Sequence, residues 1–372
     1  MTTNIFSVAE LAGVSTATVS RALRGLPHVS ETTRARVIEA AHTLSYSASP
    51  SASTLRSGRT GAIGFVVPFV DRWYFGKVVS GADPVLRALD LDVMLYHLGD
   101  ERGRRRFFDE LPLRRRVDGV LVLSLNTTTD EVEALRTLDI PVAFVGVETV
   151  GFASVRIDDL EGAAKAVRHL LHLGHREIGL ISGGQHVPMG FLTPLLRRRA
   201  YFDVLDDNGI EHPADLEADG EFSVSGGERA MCQLLAARRQ PTAVFCESDE
   251  MAFGALRAMR KAGLRAPQDI SVIGFDDHDL AEAVDLTTVA QPIREQGQLA
   301  ARLLLREMGH DVPAIPTTVL PTQLVIRGST GPLHPHRGRP RSTAGSSTRR
   351  TPAHSAPTAG TGADRPTPTV RA

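Results

Sequence analysis

The residues of this chain best suited to contact a partner directly lie between Ser15 and Arg21, in the stretch STATVSR. Thr16 and Ala17 are short, and Arg21 carries a permanent positive charge at helical spacing from them. A guanidinium can bond two acceptors on the edge of guanine, and short side chains can touch a thymine methyl group. The stretch therefore offers an arginine and short side chains that could contact base edges in double-stranded DNA.

Two short helical patterns joined by a turn are expected to position this stretch. The apolar face of the first helix is formed by Phe6, Val8, Ala9 and Leu11. Gly13 permits the positive φ that a sharp reversal needs, and Ser15 is a suitable N-cap for a second helix from Thr16 to Leu23. The inward side chains are then Val14, Val19 and Leu23. These spacings are typical of a helix-turn-helix.

A third helix is expected to begin after a Ser30 N-cap and to end near Leu44. Its apolar stripe comprises Val37, Ile38, Ala41 and Leu44. Residues 1–60 contain six arginines and three glutamates, so this small unit carries a positive excess that suits DNA phosphates. Arg34 and Arg36 could contact phosphates or could simply lie on a solvent-exposed helix face. For Arg36 we prefer the solvent-exposed face.

The segment from Ser45 to Gly61 is rich in serine, and Leu55 is its only large aliphatic side chain. The segment has too few apolar residues to fold alone, and a flexible linker would have the same composition. The segment also has the residues of a short helix, because Ser49 can cap it and Pro50 suits its first position. A helix of barely two turns is marginal in water.

From Gly61 onward, short apolar runs alternate with amphipathic helical patterns. The runs are AIGFVVP, VMLYH, DGVLVLS, PVAFVGV, REIGLISG, TAVFCES and SVIGFDD. Alternating strands and helices predict βαβ units and parallel sheets that are buried on both faces. So many strands suit two doubly wound lobes better than one sheet. No strand is followed by a glycine-rich phosphate-binding motif, so nucleotide chemistry has no support.

Composition sets the broad class of the protein. The 372 residues are 42% hydrophobic with a net charge of −1, which suits a globular protein of two or three domains rather than a general polyanion binder. Cys232 and Cys246 have neither disulfide nor metal-site spacing, and we expect both to be reduced. No apolar run is long enough to span a membrane and no signal peptide is recognisable, so we expect a cytoplasmic protein.

The sequence resembles the family of bacterial repressors typified by the lactose and purine repressors. The resemblance of the head is carried by VAELAGVSTATVSRAL, VSETTRARVIEAAHTLSY and LRSGRTGAIG. In the rest of the chain, the resemblance is carried by VRIDDLEGAAKAVRHLLHLGHREIGLISG, SDEMAFGALRAMRKAGLRAPQDISVIGFDD, TTVAQP and LPTQLVIRGST. It extends to about Thr330 and omits the tail.

The resemblance assigns DNA contacts residue by residue. Base-reading positions are Thr16, Ala17 and Arg21, and phosphate-contacting positions are Ser15, Thr18, Ser20, Ser30, Thr33 and Tyr46. Arg24 and His28 are in contacting positions whose role stays open. The segment 47–60 corresponds to a hinge helix in which Ser49 is the cap and Leu55 is a wedge that enters the minor groove. The family's usual proline and asparagine before the hinge are Ala48 and Ser49 here, which leaves the start of the helix open.

The resemblance also implies the division of the chain. An all-α helix-turn-helix head (1–46) and the hinge (47–60) precede an α/β core (61–330) that resembles periplasmic binding proteins and contains two doubly wound parallel sheets. The N-lobe comprises about 61–156 and 287–320, and the C-lobe about 157–286 and 321–330, with crossings near Ile157, Leu286 and Leu320. The Arg-, Pro-, Ser- and Thr-rich tail (331–372) is expected to be disordered; it is either a spacer or a source of non-specific attraction to DNA.

A small-molecule effector is expected in the crevice between the lobes. The residues that match ligand-contacting positions or suit that role are Asp71, Trp73, Tyr74, Phe75, Arg197, Ser248, Asp249 and Asp276. Core packing explains Phe75 equally well, and Arg197 could belong to a charged helix end. Ser248 replaces the family's common asparagine, and Gly146 replaces a common aspartate, so a standard set of hexose contacts is in doubt. The loop GGQHVPMGFLTP is unusually apolar for a polyol site, so an effector less polar than a hexose is an open alternative.

Two further clusters have simpler explanations than catalysis or metal binding. His169, His172 and His175 are spaced for a metal site, but they also follow a family pattern at a helix end, which we prefer. The run Asp276–Asp279 has no nucleophile motif nearby, and we interpret it as a crevice loop.

The sequence therefore predicts a cytoplasmic transcriptional regulator, a repressor, that binds a palindromic operator as a homodimer. A sugar or related metabolite between the lobes would control it allosterically, with no cofactor, no metal, no membrane partner and no enzymatic activity. The alternative is a solute-binding protein that uses the same two-lobe fold without a DNA role. The identity of the effector, the operator sequence and the direction of the response are not encoded in recognisable motifs.

Overall fold

The computed structural model describes residues 4–23, 25–46, 59–184, 189–313 and 318–333. The expectations for Arg24, Ser49, Leu55 and the tail beyond Leu333 lie outside the described residues. No helix in the described part of the chain is both long and apolar enough to cross a membrane.

The head is a unit of three helices, α1 (Ile5–Ala12), α2 (Thr16–Leu23) and α3 (Glu31–Thr43). Local sequence determines their ends. The side chain of Asn4 caps α1, and Gly13 ends it with a φ of 63°. The Ser15 and Ser30 hydroxyl oxygens accept hydrogen bonds from the amides of Thr18 and Thr33 at the starts of α2 and α3.

Small side chains form the core of the head. Its fully buried members are Val8, Ala9, Ala12, Val19, Ala22, Val37, Ala40 and Ala41. The expected contributions of Phe6, Leu11 and Ile38 were wrong, since these side chains are 70%, 54% and 48% exposed. Alanines take their place because short helices that cross closely leave no room for larger side chains.

Among the described residues, the α/β core (61–330) contains two six-stranded sheets. The N-lobe sheet has the order β11-β5-β4-β3-β1-β2 and is parallel throughout. Its strands are β1 (Ala62–Val67), β2 (Asp92–His97), β3 (Gly119–Leu123), β4 (Val142–Val145), β5 (Ala153–Ile157) and β11 (Val319–Leu320). Its helices are α4 (Trp73–Arg87), α5 (Glu101–Glu110), α6 (Thr129–Arg136) and α11 (Ile293–Glu307).

The C-lobe sheet has the order β12-β10-β9-β8-β6-β7, in which only β12 is antiparallel to its neighbour. Its strands are β6 (Ile178–Ser182), β7 (Glu217–Asp219), β8 (Ala243–Cys246), β9 (Ser271–Asp276), β10 (Thr287–Ala290) and β12 (Gln323–Val325). Its helices are α7 (Asp159–His172), α8 (Thr193–Asp207), α9 (Val224–Ala236) and α10 (Asp249–Lys261).

The chain passes between the sheets at three places. It does so after Ile157 at the end of β5, after Ala290 at the end of β10, and between Leu320 of β11 and Gln323 of β12. The expected crossing near Leu286 was therefore placed four residues too early. Thr287–Ala290 pairs in parallel with β9, so this strand belongs to the C-lobe sheet.

Candidate functional site

The proposed base-reading residues lie on the outer side of α2. Ala17 and Arg21 are exposed and Thr16 is half-buried, whereas Val19 and Ala22 of the same helix are buried in the head. Within the described part of the chain, the Arg21 guanidinium has neither a hydrogen-bond partner nor a carboxylate partner. This face of α2 can therefore enter a groove without first breaking contacts inside the protein.

The hydroxyl groups expected at phosphates lie at the starts of α2 and α3. The Ser15 and Thr18 hydroxyl groups are 2.9 Å apart, and the Ser30 hydroxyl donates to Thr33 at 2.8 Å. Helix starts also present free N–H groups and the positive end of the helix dipole, both of which favour phosphate oxygens.

The other three expected contacts differ in exposure. Ser20 is half-buried, and His28 is exposed with a φ of 69°. Tyr46 is half-buried and packs against the core of the head, so at most its hydroxyl end is available to DNA.

Arg34 has a different role from the one that its charge suggests. Its two terminal nitrogens donate to the carbonyl oxygens of Ala22 and Leu26, each at 2.9 Å. Arg34 thereby ties the chain that follows α2 to α3, so we remove it from the group of arginines available to phosphates. Arg36 is exposed, as a solvated helix face requires.

A cavity of about 440 Å³ lies between the two lobes, at the carboxyl ends of the parallel strands. Five of the eight expected effector residues line it: Tyr74, Phe75, Arg197, Ser248 and Asp276. The structure adds lining residues that the sequence had not indicated, among them Phe69, Arg72, Ser124, Asp159, Phe191, Thr193, Asp219, Glu221, Phe222, Glu250, Gln291 and Gln296.

The other three expected effector residues do not line the cavity. Asp71 is exposed outside it. The Trp73 ring stacks on His278 with centroids 4.4 Å apart, and its Nε1 donates to Asp279 at 3.0 Å. Trp73 therefore joins the lobes beside the cavity.

Asp249 is buried behind the cavity rather than in it. It accepts hydrogen bonds from the Thr288 hydroxyl and from the amide of His278, both at 2.7 Å. Both carboxylate oxygens of Asp249 are thus used to hold the protein's own backbone and strand together.

Arg197 is the charged centre of the cavity. Its Nε donates to Asp159 at 2.8 Å, a second nitrogen lies 3.6 Å from Asp276, and the guanidinium carbon is 3.5 Å from the centroid of the Phe275 ring. Burial raises the pKa of Asp159 while Arg197 opposes the rise. Burial raises the pKa of Asp276 to about 6, again against the effect of Arg197. The group presents fixed donors and acceptors to a ligand, with its positive charge already balanced.

A chain of hydrogen bonds connects this charged centre to the opposite lobe. Asp276 accepts from Gln291 at 2.6 Å, and Gln291 accepts from Gln296 at 2.9 Å. The Tyr74 hydroxyl lies 3.4 Å from the side-chain oxygen of Gln296, and burial raises the pKa of Tyr74, so it stays a neutral donor. Because Asp276 ends a C-lobe strand while Tyr74 and Gln296 lie on N-lobe helices, a ligand here contacts both lobes.

Two of the three clustered histidines, His169 and His175, bond to the protein's own chain, whereas the acidic loop contributes Asp276 to the cavity. His169 bonds the Thr330 hydroxyl at 2.9 Å, and His175 bonds the Thr242 hydroxyl and the Gly331 carbonyl, both at 3.0 Å. Burial lowers the pKa of both histidines. Among the described residues, no group of histidine, cysteine and acidic side chains is arranged to hold a metal ion.

Comparison with known proteins identifies both parts of the chain. Residues 4–49 match the model of bacterial regulatory proteins of the lacI family, and residues 167–330 match that of the periplasmic binding protein-like domain. The chain is 34% identical over 331 residues to the HTH-type transcriptional repressor CytR of Escherichia coli, which covers 88% of this chain and 96% of that protein. It is 35% identical over 358 residues to the HTH-type transcriptional regulator MalR of Streptomyces coelicolor, covering 91% and 100%.

Solved structures of regulators are also similar to this chain. The lac repressor dimer bound to operator and the anti-inducer ONPF matches with a TM-score of 0.76 and 29% identity, covering 89% of this chain and 100% of that one. The complex of the transcriptional regulator CelR with cellobiose matches with a TM-score of 0.63 and 30% identity, covering 88% and 100%.

A helix-turn-helix head followed by a two-lobe core with a ligand-sized cavity defines a DNA-binding transcriptional regulator. The chain belongs to the lacI family of bacterial regulatory proteins. Relatives named as transcriptional repressors or regulators include CytR, MalR and PurR, and this chain is a regulator rather than an enzyme. The alternative of a solute-binding protein without a DNA role has no support, because the similarity includes the head.

Proposed function

We propose that this chain is a cytoplasmic repressor that binds a palindromic operator as a homodimer and is controlled by a small molecule between its lobes. The observation that carries the proposal is the outward placement of Ala17 and Arg21 on α2, with the Arg21 guanidinium unpaired within the described residues. One head supplies few base contacts, so two heads on related half-sites are needed for tight specific binding.

The base-reading set is Thr16, Ala17 and Arg21. Arg21 binds guanine, and the two short side chains fit against thymine methyl groups or leave room for water. Ser15, Thr18, Ser20, Ser30, Thr33 and the hydroxyl of Tyr46 contact phosphates, and four of these hydroxyls, those of Ser15, Thr18, Ser30 and Thr33, lie at the starts of α2 and α3. Arg24, Ser49 and Leu55 complete the interface in this proposal, with Leu55 as the minor-groove wedge.

The effector is a sugar or a related metabolite held by Arg197, Asp276, Ser248 and Tyr74, with Phe75 forming part of the wall. A cavity of about 440 Å³ accommodates a ligand of this size. The relatives whose structures contain cellobiose, ribose and sucrose support this class of ligand. Because the bound ligand touches both lobes, it can favour one interlobe arrangement and thereby change the affinity for DNA.

The experiment that tests this proposal selects genomic fragments with the full-length protein and then measures binding to the selected site by mobility shift. Sedimentation at micromolar concentration measures the oligomeric state. Sequence-selective binding by a dimer is the expected result. Binding without sequence preference, or a chain that sediments only as a monomer, contradicts the proposal.

A further inference from the structure

A short C-lobe segment crosses the cleft and is buried in the opposite lobe. The segment Met189–Leu192, which we call the interlobe strap, immediately precedes α8 of the C-lobe. The side chain of Met189 is only 2% exposed and belongs to a hydrophobic cluster that includes Phe107 and Phe108. All other fully buried members of that cluster lie in the N-lobe, and Leu192 packs against it from the strap.

Arg104 of α5 fixes the backbone of the strap. Its Nε and Nη2 donate to the two carboxylate oxygens of Glu131, at 2.8 and 2.6 Å, and Nη2 also donates to the Asn126 carbonyl at 2.7 Å. Its remaining terminal nitrogen, Nη1, donates to the carbonyl oxygen of Met189. Only 11% of the Arg104 side chain and 14% of the Glu131 side chain are exposed. A planar guanidinium makes all these contacts at once, which a lysine ammonium cannot do in this geometry.

The backbone of the strap is adapted to this close approach. Gly190 has a φ of 67°, and a Cβ atom on it would lie 3.1 Å from the Nη1 of Arg104. Met189 adopts a φ of 82°, in the left-handed region that residues other than glycine seldom occupy. Such conformations persist only where surrounding contacts hold them, and they concentrate at ligand clamps and switches.

The strap also supplies part of the cavity wall. Phe191 lines the cavity, and its ring centroid lies 5.9 Å from that of Phe69 in the N-lobe. Thr193, which follows the strap directly, lines the cavity as well and begins the helix that carries Arg197. The position of the strap therefore determines where an aromatic wall and the charged centre stand relative to each other.

We propose that the interlobe strap is the element that locks the lobes together over the cavity, and that Arg104 is its positioning residue. Arg104 lies outside the cavity and acts through the strap, by holding Phe191 against Phe69. The consequence for effector selection rests on the proposed function of the cavity, whereas the lock itself does not. Loss of Arg104 releases Met189 from the N-lobe and lets the lobes separate.

Trp73 offers a reporter on a second contact between the lobes. It is the only tryptophan of the chain, and it joins α4 of the N-lobe to His278 and Asp279 of the C-lobe. Lys77 strengthens this contact through an ion pair with Asp279 at 2.5 Å. Within the described part of the chain, the side-chain hydrogen bonds and ring contacts of Trp73 and Lys77 involve His278, Asp279 and each other, and none involves Arg104 or the strap. A change in Trp73 therefore reports separation of the lobes rather than local damage near Arg104.

The test compares Arg104→Ala with Arg106→Ala in the full-length, effector-free protein. Arg106 lies on the same helix but is 75% exposed and forms a surface ion pair with Glu110. In Arg104→Ala, exchange of the Leu196 amide hydrogen, which donates to the carbonyl oxygen of Leu192 in the strap at 2.9 Å, is expected to become about tenfold faster or more. Quenching of Trp73 fluorescence by acrylamide is expected to rise about twofold, as an opened contact exposes the ring. Arg106→Ala should match the parent in both measurements.

Two further variants separate a lock from a general loss of stability. Met189→Ala leaves the Arg104–Glu131 pair intact and is expected to raise both exchange and Trp73 quenching. Arg104→Lys retains the charge and is expected to resemble Arg104→Ala. Folded Arg104→Ala and Met189→Ala proteins whose Trp73 quenching equals that of Arg106→Ala would overturn the proposal. Operator binding by these variants is measured separately. It distinguishes a failure of the proposed contact between the lobes from a failure of the proposed DNA-binding function.

Discussion

The carboxylate of Asp118 accepts hydrogen bonds from both the backbone amide and the hydroxyl group of Thr60, at 2.6 and 3.0 Å. Its other oxygen accepts from the amide of Gly61 at 2.8 Å. Asp118 directly precedes β3, a strand inside the N-lobe sheet. One half-buried side chain therefore fixes Thr60 and Gly61, at the junction of the hinge segment and the core, to the N-lobe.

Replacing Asp118 with alanine is expected to loosen this junction without unfolding the core. Hydrogen bonds to a charged group contribute about 1.5–3 kcal/mol each, so amide exchange at Thr60 and Gly61 should accelerate strongly. The affinity for operator should fall, because the two heads are held less firmly. Hydrogen-exchange mass spectrometry and mobility shift measure the two effects. Asp109→Ala, on the exposed end of α5, is the control, and equal exchange in the two variants would show that Asp118 is not the anchor.

Arg21→Ala is expected to abolish the preference for the operator over unrelated DNA while leaving the cavity intact. Loss of one bidentate guanine contact costs about 1–3 kcal/mol of discrimination in each half-site. Competition binding at fixed salt concentration measures the loss. Arg36→Ala removes an exposed arginine from α3 and serves as the control. If both variants lose affinity equally for every sequence, Arg21 contacts phosphate rather than a base.

The local rules of helices were sufficient to predict the head. Caps at Ser15 and Ser30 and the turn at Gly13 depend on neighbouring residues, so they can be read from the chain. Which apolar side chains are buried depends on the crossing of helices, and the sequence pattern wrongly assigned Phe6, Leu11 and Ile38 to the core.

The cavity was predictable only in part, because its residues meet through the topology of two sheets. Arg197 and Asp276 were found through resemblance, but Asp159 and Gln296 were missed although they bond within the same network. Asp159 begins a helix just after the first crossing between the sheets, and Gln291 follows the second. The position directly after a crossing was the one signal that could have indicated Asp159 and Gln291, and it does not extend to Gln296 inside α11.

Arg197→Ala is expected to destabilise the protein as well as to abolish the response of operator binding to effector. It leaves the buried carboxylates of Asp159 and Asp276 without their common counter-charge, which costs about 3–5 kcal/mol when a buried pair is broken. Arg199→Ala removes a pair with Asp203 in which both side chains are mostly exposed, and it should cost less than about 1 kcal/mol. Urea unfolding of the two variants provides the comparison. Equal midpoints would mean that Arg197 does not stabilise the charged centre.

The buried carboxyl group of Glu247 predicts a pH dependence of stability. Burial raises its pKa to about 8, although the Gly183 amide and Arg197 oppose the rise, and its Oε1 has no partner among the described residues. The folded chain therefore holds this proton up to about pH 8, whereas the unfolded chain releases it near the ordinary value of 4.5. Its contribution to stability is fully present below pH 4.5 and is lost as the pH rises to about 8.

Glu247→Gln removes that titration. Between pH 5 and 8, the free energy of unfolding of the parent is expected to fall more steeply than that of the variant, by up to about 1.4 kcal/mol per pH unit. Urea unfolding across this range measures the two slopes, and a constant offset between the proteins does not affect their difference. Parallel profiles would show that Glu247 is ionised in the folded protein.

The most direct test of the central account compares operators with one and two half-sites. A palindromic site recovered from genomic fragments and the same duplex with one half-site scrambled are titrated with the full-length protein at one salt concentration. The account predicts that the complete site binds at least about 100-fold more tightly, and that Arg21→Ala removes most of this difference. Equal affinity of the parent protein for both duplexes would contradict a paired, base-reading α2.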